Sequence, residues 1–246
     1  MKLLYSNINN GEYDISCKLY FPSENCIKGV ILGVHGFAGD KESSALKKLA
    51  YAVEQYGIAL ICFDLPAHGE SCVNESSFTV KNCIRDLGCI ADKIRNEYPN
   101  VDKYIFATSY GGFIALQCVE QLKEFKYVLR APAVTMPEHI LTDVIKLSAE
   151  EFKTAGSVEC GLERSLVLPY SFYEELQHYS ILGKNFDKPM LVIHGNADDV
   201  VPYEDILKFC RDNMSAELAV IDGADHRFKK PGEIESVIKS TIRYML

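Results

Sequence analysis

The stretch Tyr104-Ile-Phe-Ala-Thr-Ser-Tyr-Gly-Gly112 decides the fold. An apolar run leads into a serine between small residues, which predicts a strand, a tight turn and a helix. Such a turn pushes the serine hydroxyl out at the carboxyl edge of a sheet. The usual pattern is G-x-S-x-G; here Ala107 replaces the first glycine and Gly111 keeps the second. The alternative is that Ser109 only caps the following helix.

Outward from this turn, apolar runs alternate with helical patterns. Short runs without polar alternation suit strands that are buried on both faces of a parallel sheet. These runs and two earlier extended segments are Lys2–Asn7, Tyr13–Phe21, Gly29–Val34, Ile58–Phe63, Tyr104–Ala107, Tyr127–Leu129, Met190–Ile193 and Glu217–Ile221. Helical spacing marks Ala45–Tyr56, Val80–Tyr98, Gly112–Leu122, Pro202–Asn213 and Glu233–Leu246. The alternation predicts an α/β fold with a doubly wound, mostly parallel sheet.

One interval breaks this alternation. Between the strands that end near Leu129 and begin near Met190, the chain has mixed helical patterns interrupted by prolines. We interpret residues 133–187 as a lid or cap insertion. Residues 1–132 and 188–246 then form the α/β core.

A serine nucleophile needs a base, and the base needs an orienting acid. Asp198 follows the Met190–Ile193 strand, and His226 follows the Glu217–Ile221 strand. Parallel strands bring their carboxyl ends to one edge, so Ser109, Asp198 and His226 are expected to meet there. Their order in the chain is the one expected for this type of serine turn. Asp199 competes for the acid role, and a solvated loop histidine is the alternative for His226.

A tetrahedral intermediate also needs donors for its negative oxygen. The backbone amide of Phe37, after the Gly29–Val34 strand, and that of Tyr110, after the nucleophile, are the candidates for this oxyanion hole. We interpret His35 as a residue that orders its loop.

Length, charge and cysteine content limit the classes of partner and the compartment that we expect for this protein. The chain has 246 residues, enough for a large core without metal or disulfide, and a net charge of -8. This acidic balance disfavours nucleic acid or an anionic membrane as the main partner. No run is long enough to span a bilayer, and no signal peptide is evident. The nine scattered cysteines are interpreted as small buried residues in a reducing, cytoplasmic setting.

Together these motifs resemble those of the α/β-hydrolase superfamily. The similarity is greatest to its serine esterases, in the cinnamoyl/feruloyl esterase and monoacylglycerol-lipase-like branch. The motifs are His35-Gly-Phe-Ala-Gly39, Asp64-Leu-Pro-Ala-His-Gly-Glu-Ser71, the Ser109 turn, Leu129-Arg-Ala-Pro-Ala133, His194-Gly-Asn-Ala-Asp198 with Val200-Val-Pro202, and Asp222-Gly-Ala-Asp-His-Arg-Phe228.

The resemblance implies an eight-stranded sheet with an antiparallel second strand, and no metal or organic cofactor. It also implies that Ser109 is the nucleophile, Asp198 the acid and His226 the base, with oxyanion amides at Phe37 and Tyr110. His68 is then a structural residue. Tyr110 is a departure from the family pattern, and we expect its phenol to narrow the acyl pocket.

The predicted function is hydrolysis of a small-molecule carboxylic ester through an acyl-enzyme, on phenolic (cinnamoyl/feruloyl-type) or short acyl esters. An aminopeptidase or thioesterase on the same fold, or a non-catalytic binding protein, are alternatives. An aminopeptidase would need an anionic site, for which the insertion offers Glu138, Asp143, Glu150, Glu151, Glu159, Glu163, Glu174 and Glu175. A metal hydrolase built on His35, His194 and Asp198 is a weaker alternative. A homodimer remains open.

Overall fold

The computed structural model describes residues 1–23, 26–161 and 165–246. Ten strands lie within these ranges. They are β1 (Lys2–Asn9), β2 (Asp14–Phe21), β3 (Gly29–Val34), β4 (Ile58–Phe63), β5 (Asp102–Thr108), β6 (Phe125–Arg130), β7 (Ser157–Cys160), β8 (Leu166–Pro169), β9 (Met190–Gly195) and β10 (Ala216–Ile221).

Eight of these strands form one sheet in the order β1-β2-β4-β3-β5-β6-β9-β10. Strand β2 runs antiparallel to both β1 and β4, and the other neighbours pair in parallel. The predicted mostly parallel sheet with an antiparallel second strand is therefore confirmed. Strands β3 and β4 match their predicted bounds because every residue in them is buried.

The helices are α1 (Ser44–Val53), α2 (Val80–Glu97), α3 (Tyr110–Gln117), α4 (Met136–His139), α5 (Ala149–Ala155), α6 (Tyr170–Leu176), α7 (Tyr203–Asp212) and α8 (Glu233–Met245). Helices α1 and α8 cover one face of the sheet, and α2, α3 and α7 cover the other. Side chains alternate along a strand, so Ile31 faces the α1 side while Val30 and Leu32 face the α2 side. Both faces are therefore apolar, as the uninterrupted hydrophobic runs indicate.

The segment 133–187 is built from short elements. It contains α4, a π-helical turn at Ile140–Ile145, α5, the antiparallel hairpin of β7 and β8, and α6. The helical patterns predicted for this segment missed the hairpin, whose strands have only four residues each. Residues 162–164 lie outside the described part.

Segment 133–187 contacts the α/β core at the first turn of α2 and at Phe78 just before it. Phe172 of α6 stacks on Phe78 at a centroid distance of 4.6 Å. The Glu175 carboxylate accepts hydrogen bonds from the amides of Val80 and Lys81, at 2.9 and 3.1 Å. A carboxylate at the first amides of a helix also complements the helix dipole. The segment therefore packs against the core and does not form a separate globular unit.

Composition led to two predictions, one on membrane-spanning segments and one on the burial of the cysteines. Among the described residues, no helix is both long and apolar enough to cross a bilayer. Five of the nine cysteines are buried, but Cys26 and Cys72 are exposed, and Cys89 and Cys210 are partly so. The prediction that the cysteines are buried is therefore wrong for Cys26 and Cys72, which lie on loops, whereas Cys89 and Cys210 are half-buried on helices and pack against the core.

Candidate active site

Ser109 lies on the turn between β5 and α3 with φ 50° and ψ -118°. This left-handed conformation is strained for a side chain with a Cβ, so the surroundings must hold it. The Ser109 amide donates to the Arg130 carbonyl at 3.0 Å, and the Ser109 carbonyl accepts from Ala133 at 3.1 Å. A Cβ at Gly111 would lie 2.4 Å from the His35 carbonyl oxygen, so glycine is needed there. The Ser109 hydroxyl does not cap α3.

The three residues that the sequence places at separate strand ends lie in contact. The Nε2 atom of His226 is 3.0 Å from Oγ of Ser109. Its Nδ1 atom is 2.8 Å from Oδ2 of Asp198. This arrangement leaves Nε2 able to accept the serine proton while the carboxylate holds the imidazole orientation. Asp199, the competing acid, is exposed.

Asp198 has a fully buried side chain. Its Oδ1 accepts hydrogen bonds from the amides of Val200 and Val201, at 2.9 and 2.7 Å. Burial alone would raise the pKa of this carboxyl. The His226 hydrogen bond and charge, together with the Val201 amide and His194, outweigh burial and lower the pKa. Asp198 is therefore ionised at neutral pH.

His194 lies beneath this acid and is completely buried. Its Nε2 is 3.0 Å from the Val201 carbonyl oxygen and 3.4 Å from Oδ2 of Asp198. Both neighbours are acceptors, so Nε2 carries the proton. Burial lowers the pKa of the imidazole more than Asp198 and the Val201 carbonyl raise it, which keeps His194 neutral. This contact between His194 and Asp198 was not predicted from the sequence, where His194 was noted within a motif and as a candidate metal ligand.

The loop after β3 lies directly against Ser109. A Cβ at Gly36 would be 3.1 Å from the Cβ of Ser109. The predicted oxyanion residue Phe37 follows Gly36, and Ala38 donates its amide to Nε2 of His68 at 3.1 Å. His35 in turn accepts from the Leu65 amide at 3.0 Å. Both histidines therefore order this loop.

The phenol of Tyr110 points into the core. Tyr110 is fully buried, and its hydroxyl lies 3.7 Å from Sγ of Cys83 on α2. Its ring packs against Phe37, Phe78 and Phe172. The expectation that this phenol narrows the acyl pocket is wrong, because the first turn of α3 directs the side chain toward α2. The Tyr110 amide remains beside Ser109.

A cavity of about 1230 Å³ opens at these residues. Side chains from segment 133–187 line one side, among them Met136, Ile140, Val144 and Cys160. Helices α1 and α8 and the loop after His226 also contribute to the lining, with Lys48, Lys230 and Glu235 among the polar residues. The cavity therefore offers both apolar and polar side chains to a ligand.

Three of the eight carboxylates considered for an aminopeptidase are engaged elsewhere. Glu175 caps α2, Glu151 forms the capping box of α5, and Glu138 accepts from Ser180. Of the acids in the segment that the structure describes, Asp143 and Glu159 line the cavity. Glu163 lies outside the described residues.

The proposed metal ligands do not converge in the described structure. In residues 1–23, 26–161 and 165–246, no three His, Cys, Asp or Glu side chains are placed to share a metal ion. His194 does lie near Asp198, but both serve the hydrogen-bond network described above. His35 is bound to the loop at Leu65.

Arg130 ends β6 directly beside this site and lines the cavity. In the sequence, Arg130 was noted only within the motif Leu129-Arg-Ala-Pro-Ala133. The signal that could have marked it is a cation at the carboxyl end of a buried apolar strand, where ligands of parallel sheets bind.

Known proteins show related sequences and folds. The model of the serine aminopeptidase, S33, family matches residues 25–158, more than half of the chain. The mouse mitochondrial palmitoyl-protein thioesterase ABHD10 is 27% identical over 207 residues, which cover 77% of this chain and 67% of that protein. The chain thus matches about two thirds of that relative's length. A cytoplasmic location stays a prediction, because this relative is described as mitochondrial.

Two solved structures share the fold. The esterase Est1E from Butyrivibrio proteoclasticus, with ferulic acid bound, superposes with a TM-score of 0.84 at 20% identity, covering 97% of this chain and 98% of that one. Monoglyceride lipase from Saccharomyces cerevisiae gives 0.83 at 18% identity, covering 100% and 94%. The resemblance to α/β-hydrolase serine esterases is confirmed. The chain belongs to the serine aminopeptidase, S33, family and is a serine hydrolase of the α/β-hydrolase fold.

Proposed function

We propose that this protein hydrolyses carboxylic esters through an acyl-enzyme formed on Ser109. The observation that carries the proposal is the contact chain from Ser109 Oγ to His226 Nε2, 3.0 Å, and from His226 Nδ1 to Asp198 Oδ2, 2.8 Å. Each atom in this chain has the donor or acceptor character that its role requires.

In the first half of the reaction, Ser109 Oγ attacks the ester carbonyl while Nε2 of His226 takes its proton. The carbonyl oxygen becomes an oxyanion between the amides of Phe37 and Tyr110. As the tetrahedral intermediate collapses, the bond from the carbonyl carbon to the leaving oxygen breaks. His226 then protonates the departing alcohol, and the acyl group remains on Ser109.

Water repeats these steps to release the acid. His226 removes a proton from the water that attacks the acyl-enzyme, and then returns the proton to Ser109. Asp198 stabilises the imidazolium that forms in each half. Because its pKa is lowered, the carboxylate keeps its charge at neutral pH.

The acyl group is proposed to lie beneath segment 133–187, which then acts as the lid. Met136, Ile140 and Val144 give this side of the cavity its apolar character. Phenolic esters of the cinnamoyl or feruloyl type and short acyl esters are the proposed substrates. The shared fold with an esterase that binds ferulic acid supports the phenolic class.

Thioester hydrolysis is the second candidate. The mouse relative, 27% identical, is described as a palmitoyl-protein thioesterase. The same contacts serve both reactions, because a thioester passes through a similar tetrahedral intermediate and releases a thiol in place of an alcohol.

A substrate panel tests the proposal. The purified protein is assayed on p-nitrophenyl butyrate, methyl ferulate, the butyryl thioester of N-acetylcysteamine and leucine p-nitroanilide, with Ser109→Ala as the blank. We expect turnover of the esters that is lost in the variant. A kcat/KM higher for the thioester moves the assignment to the second candidate. Turnover of the anilide alone would establish an aminopeptidase, and equal ester turnover by both proteins would overturn the proposal.

A further inference from the structure

Arg130 places a cation at the floor of the catalytic cavity. Its carbonyl accepts from the Ser109 amide at 3.0 Å, and its strand lies between β5 and β9. Side chains alternate along a strand, so Arg130 shares the face of Val128, the face covered by α1 and α8. The residue is partly exposed and lines the cavity.

This guanidinium makes no hydrogen bond or ion pair with the residues that the structure describes. Its Nε–H is buried without an acceptor. Its one close partner is the ring of Phe228, whose centroid lies 5.2 Å from Cζ. A stacked ring leaves the donors in the plane of the guanidinium without acceptors.

The two carboxylates that attract Arg130, Asp198 and Asp225, accept hydrogen bonds from other donors. Asp198 accepts from His226, Val200 and Val201. Oδ1 of Asp225 accepts from the Arg227 amide at 2.9 Å. Burial lowers the pKa of Arg130 to about 10, against the attraction of these two acids. The side chain therefore still carries its positive charge at neutral pH.

Two other cations that line the cavity have partners. Lys48 binds Glu235 at 2.8 Å, and Lys230 donates to the Gly223 carbonyl. A guanidinium that lacks a direct counter-ion and has its Nε–H buried is costly. An anion held against Arg130 would offset this cost. Guanidinium groups bind carboxylate and phosphate oxygens in a fork geometry that a lysine does not match.

We propose that Arg130 binds an anionic group of the substrate, a carboxylate or a phosphate, so that the enzyme prefers acidic esters or thioesters over neutral ones of the same size. This proposal rests on the proposed function, because it names the class of substrate that the Ser109 site takes. The anion then lies close to Phe228, whose ring contacts the Arg130 guanidinium.

Two matched substrate pairs test the proposal and locate the anion. In the first pair, mono-p-nitrophenyl glutarate differs from p-nitrophenyl pentanoate by a carboxylate on the acyl group. In the second pair, butyryl-coenzyme A differs from the butyryl thioester of N-acetylcysteamine by phosphates on the leaving group. We expect the wild type to prefer the acidic member of one pair by about 10- to 100-fold in kcat/KM, the range for a hydrogen bond to a charged group.

The variants separate recognition from structural support. Arg130→Met keeps the stem that contacts Phe228 but removes the charge, and Arg130→Lys keeps the charge without the fork. We expect Arg130→Met to abolish the preference for the acidic substrate, while kcat/KM for the neutral substrate changes by less than about threefold. We expect Arg130→Lys to retain part of the preference. Lys229→Gln removes an exposed positive charge at the rim of the same cavity, and its preference should match that of wild type.

Equal loss on acidic and neutral substrates in Arg130→Met would show that Arg130 only supports the Phe228 loop, and would overturn the proposal. A wild type that hydrolyses neutral esters without preferring either acidic member would also overturn it. No turnover of any substrate, with no labelling of Ser109 by a fluorophosphonate probe, would instead overturn the proposed function itself.

Discussion

Two buried carboxylates in this protein have opposite pKa shifts. Asp198, beside the cavity, has a lowered pKa. Asp86, on α2, has a pKa raised to about 6. Burial pushes both values upward, so the difference comes from their partners. Asp198 faces an imidazole that can carry a positive charge, whereas Asp86 accepts from the Asn10 amide at 2.6 Å and the Tyr13 hydroxyl at 2.8 Å, both neutral.

Under the proposed function, Asp198 takes part in the chemistry, whereas Asp86 supports the structure. Asp198 keeps its charge in a loop at the carboxyl edge of the sheet, where it can stabilise a transient cation. Asp86 lies on the buried face of α2 and fastens the turn between β1 and β2. Its neutral donors do not fully replace the lost hydration, and the charged form is therefore disfavoured there.

The largest loss of activity is expected when the Ser109 hydroxyl is removed. Ser109→Ala should lower kcat by about 10⁴–10⁶-fold, as triad serine removals do in other hydrolases. Ester hydrolysis rates and thermal melting measure the change. The melting temperature should not fall, because the hydroxyl does not cap α3. An unchanged kcat would mean that another residue is the nucleophile.

The next effect compares the two acids directly. Asp198→Asn should lower kcat by about 10⁴-fold, because an amide cannot hold the imidazole in the required tautomer. Asp86→Asn serves as the matched control: it also removes a buried carboxylate, but its kcat should stay within about twofold of wild type. Similar losses in both variants would contradict the separation drawn here.

The pH dependence of the free energy of unfolding also distinguishes Asp86 from Asp198. Asp86 is protonated more readily in the folded chain than in the unfolded one, so its contribution to folding is fully present below the unfolded pKa and is lost as pH rises toward about 6. The loss is on the order of 2–3 kcal/mol. Denaturant unfolding at pH 4, 5, 6 and 7 measures it.

Asp86→Asn should flatten this dependence between pH 4 and 6. Asp198 has the opposite sign, because its stabilisation is present above its unfolded pKa and is lost as pH falls through the lowered folded value. If the pH profile of Asp86→Asn matches that of wild type, Asp86 is not the source of the dependence.

The smallest effect concerns the residue beneath Asp198. His194→Phe removes the Nε2–H that donates to the Val201 carbonyl at 3.0 Å and lies 3.4 Å from Oδ2 of Asp198. One hydrogen bond is worth about 1 kcal/mol, so kcat/KM should fall by about fivefold. His194→Gln keeps an amide donor and should recover part of the loss. Equal rates in the two variants would show that the donor does not matter.

The sheet and the chemistry-bearing loops could be predicted from the sequence because each carries a local signal. Uninterrupted apolar runs marked Gly29–Val34 and Ile58–Phe63. The small residues around Ser109, and the strand ends before Asp198 and His226, pointed to a common edge.

Other features depend on contacts that no local pattern encodes. The β7–β8 hairpin was missed because its strands are four residues long and half exposed. The direction of the Tyr110 phenol depends on packing against α2. Arg130 and Asp86 could be recognised as charged residues among apolar neighbours. Their contacts could not be predicted, because their partners lie far away in the chain.

Labelling with a fluorophosphonate probe, followed by peptide mass mapping, tests the central claim most directly. The account predicts one adduct, on Ser109, in the wild type and in Asp86→Asn at similar rates. Labelling should be much slower in Asp198→Asn and absent in Ser109→Ala. An adduct on a different serine, with ester hydrolysis retained by Ser109→Ala, would contradict the account.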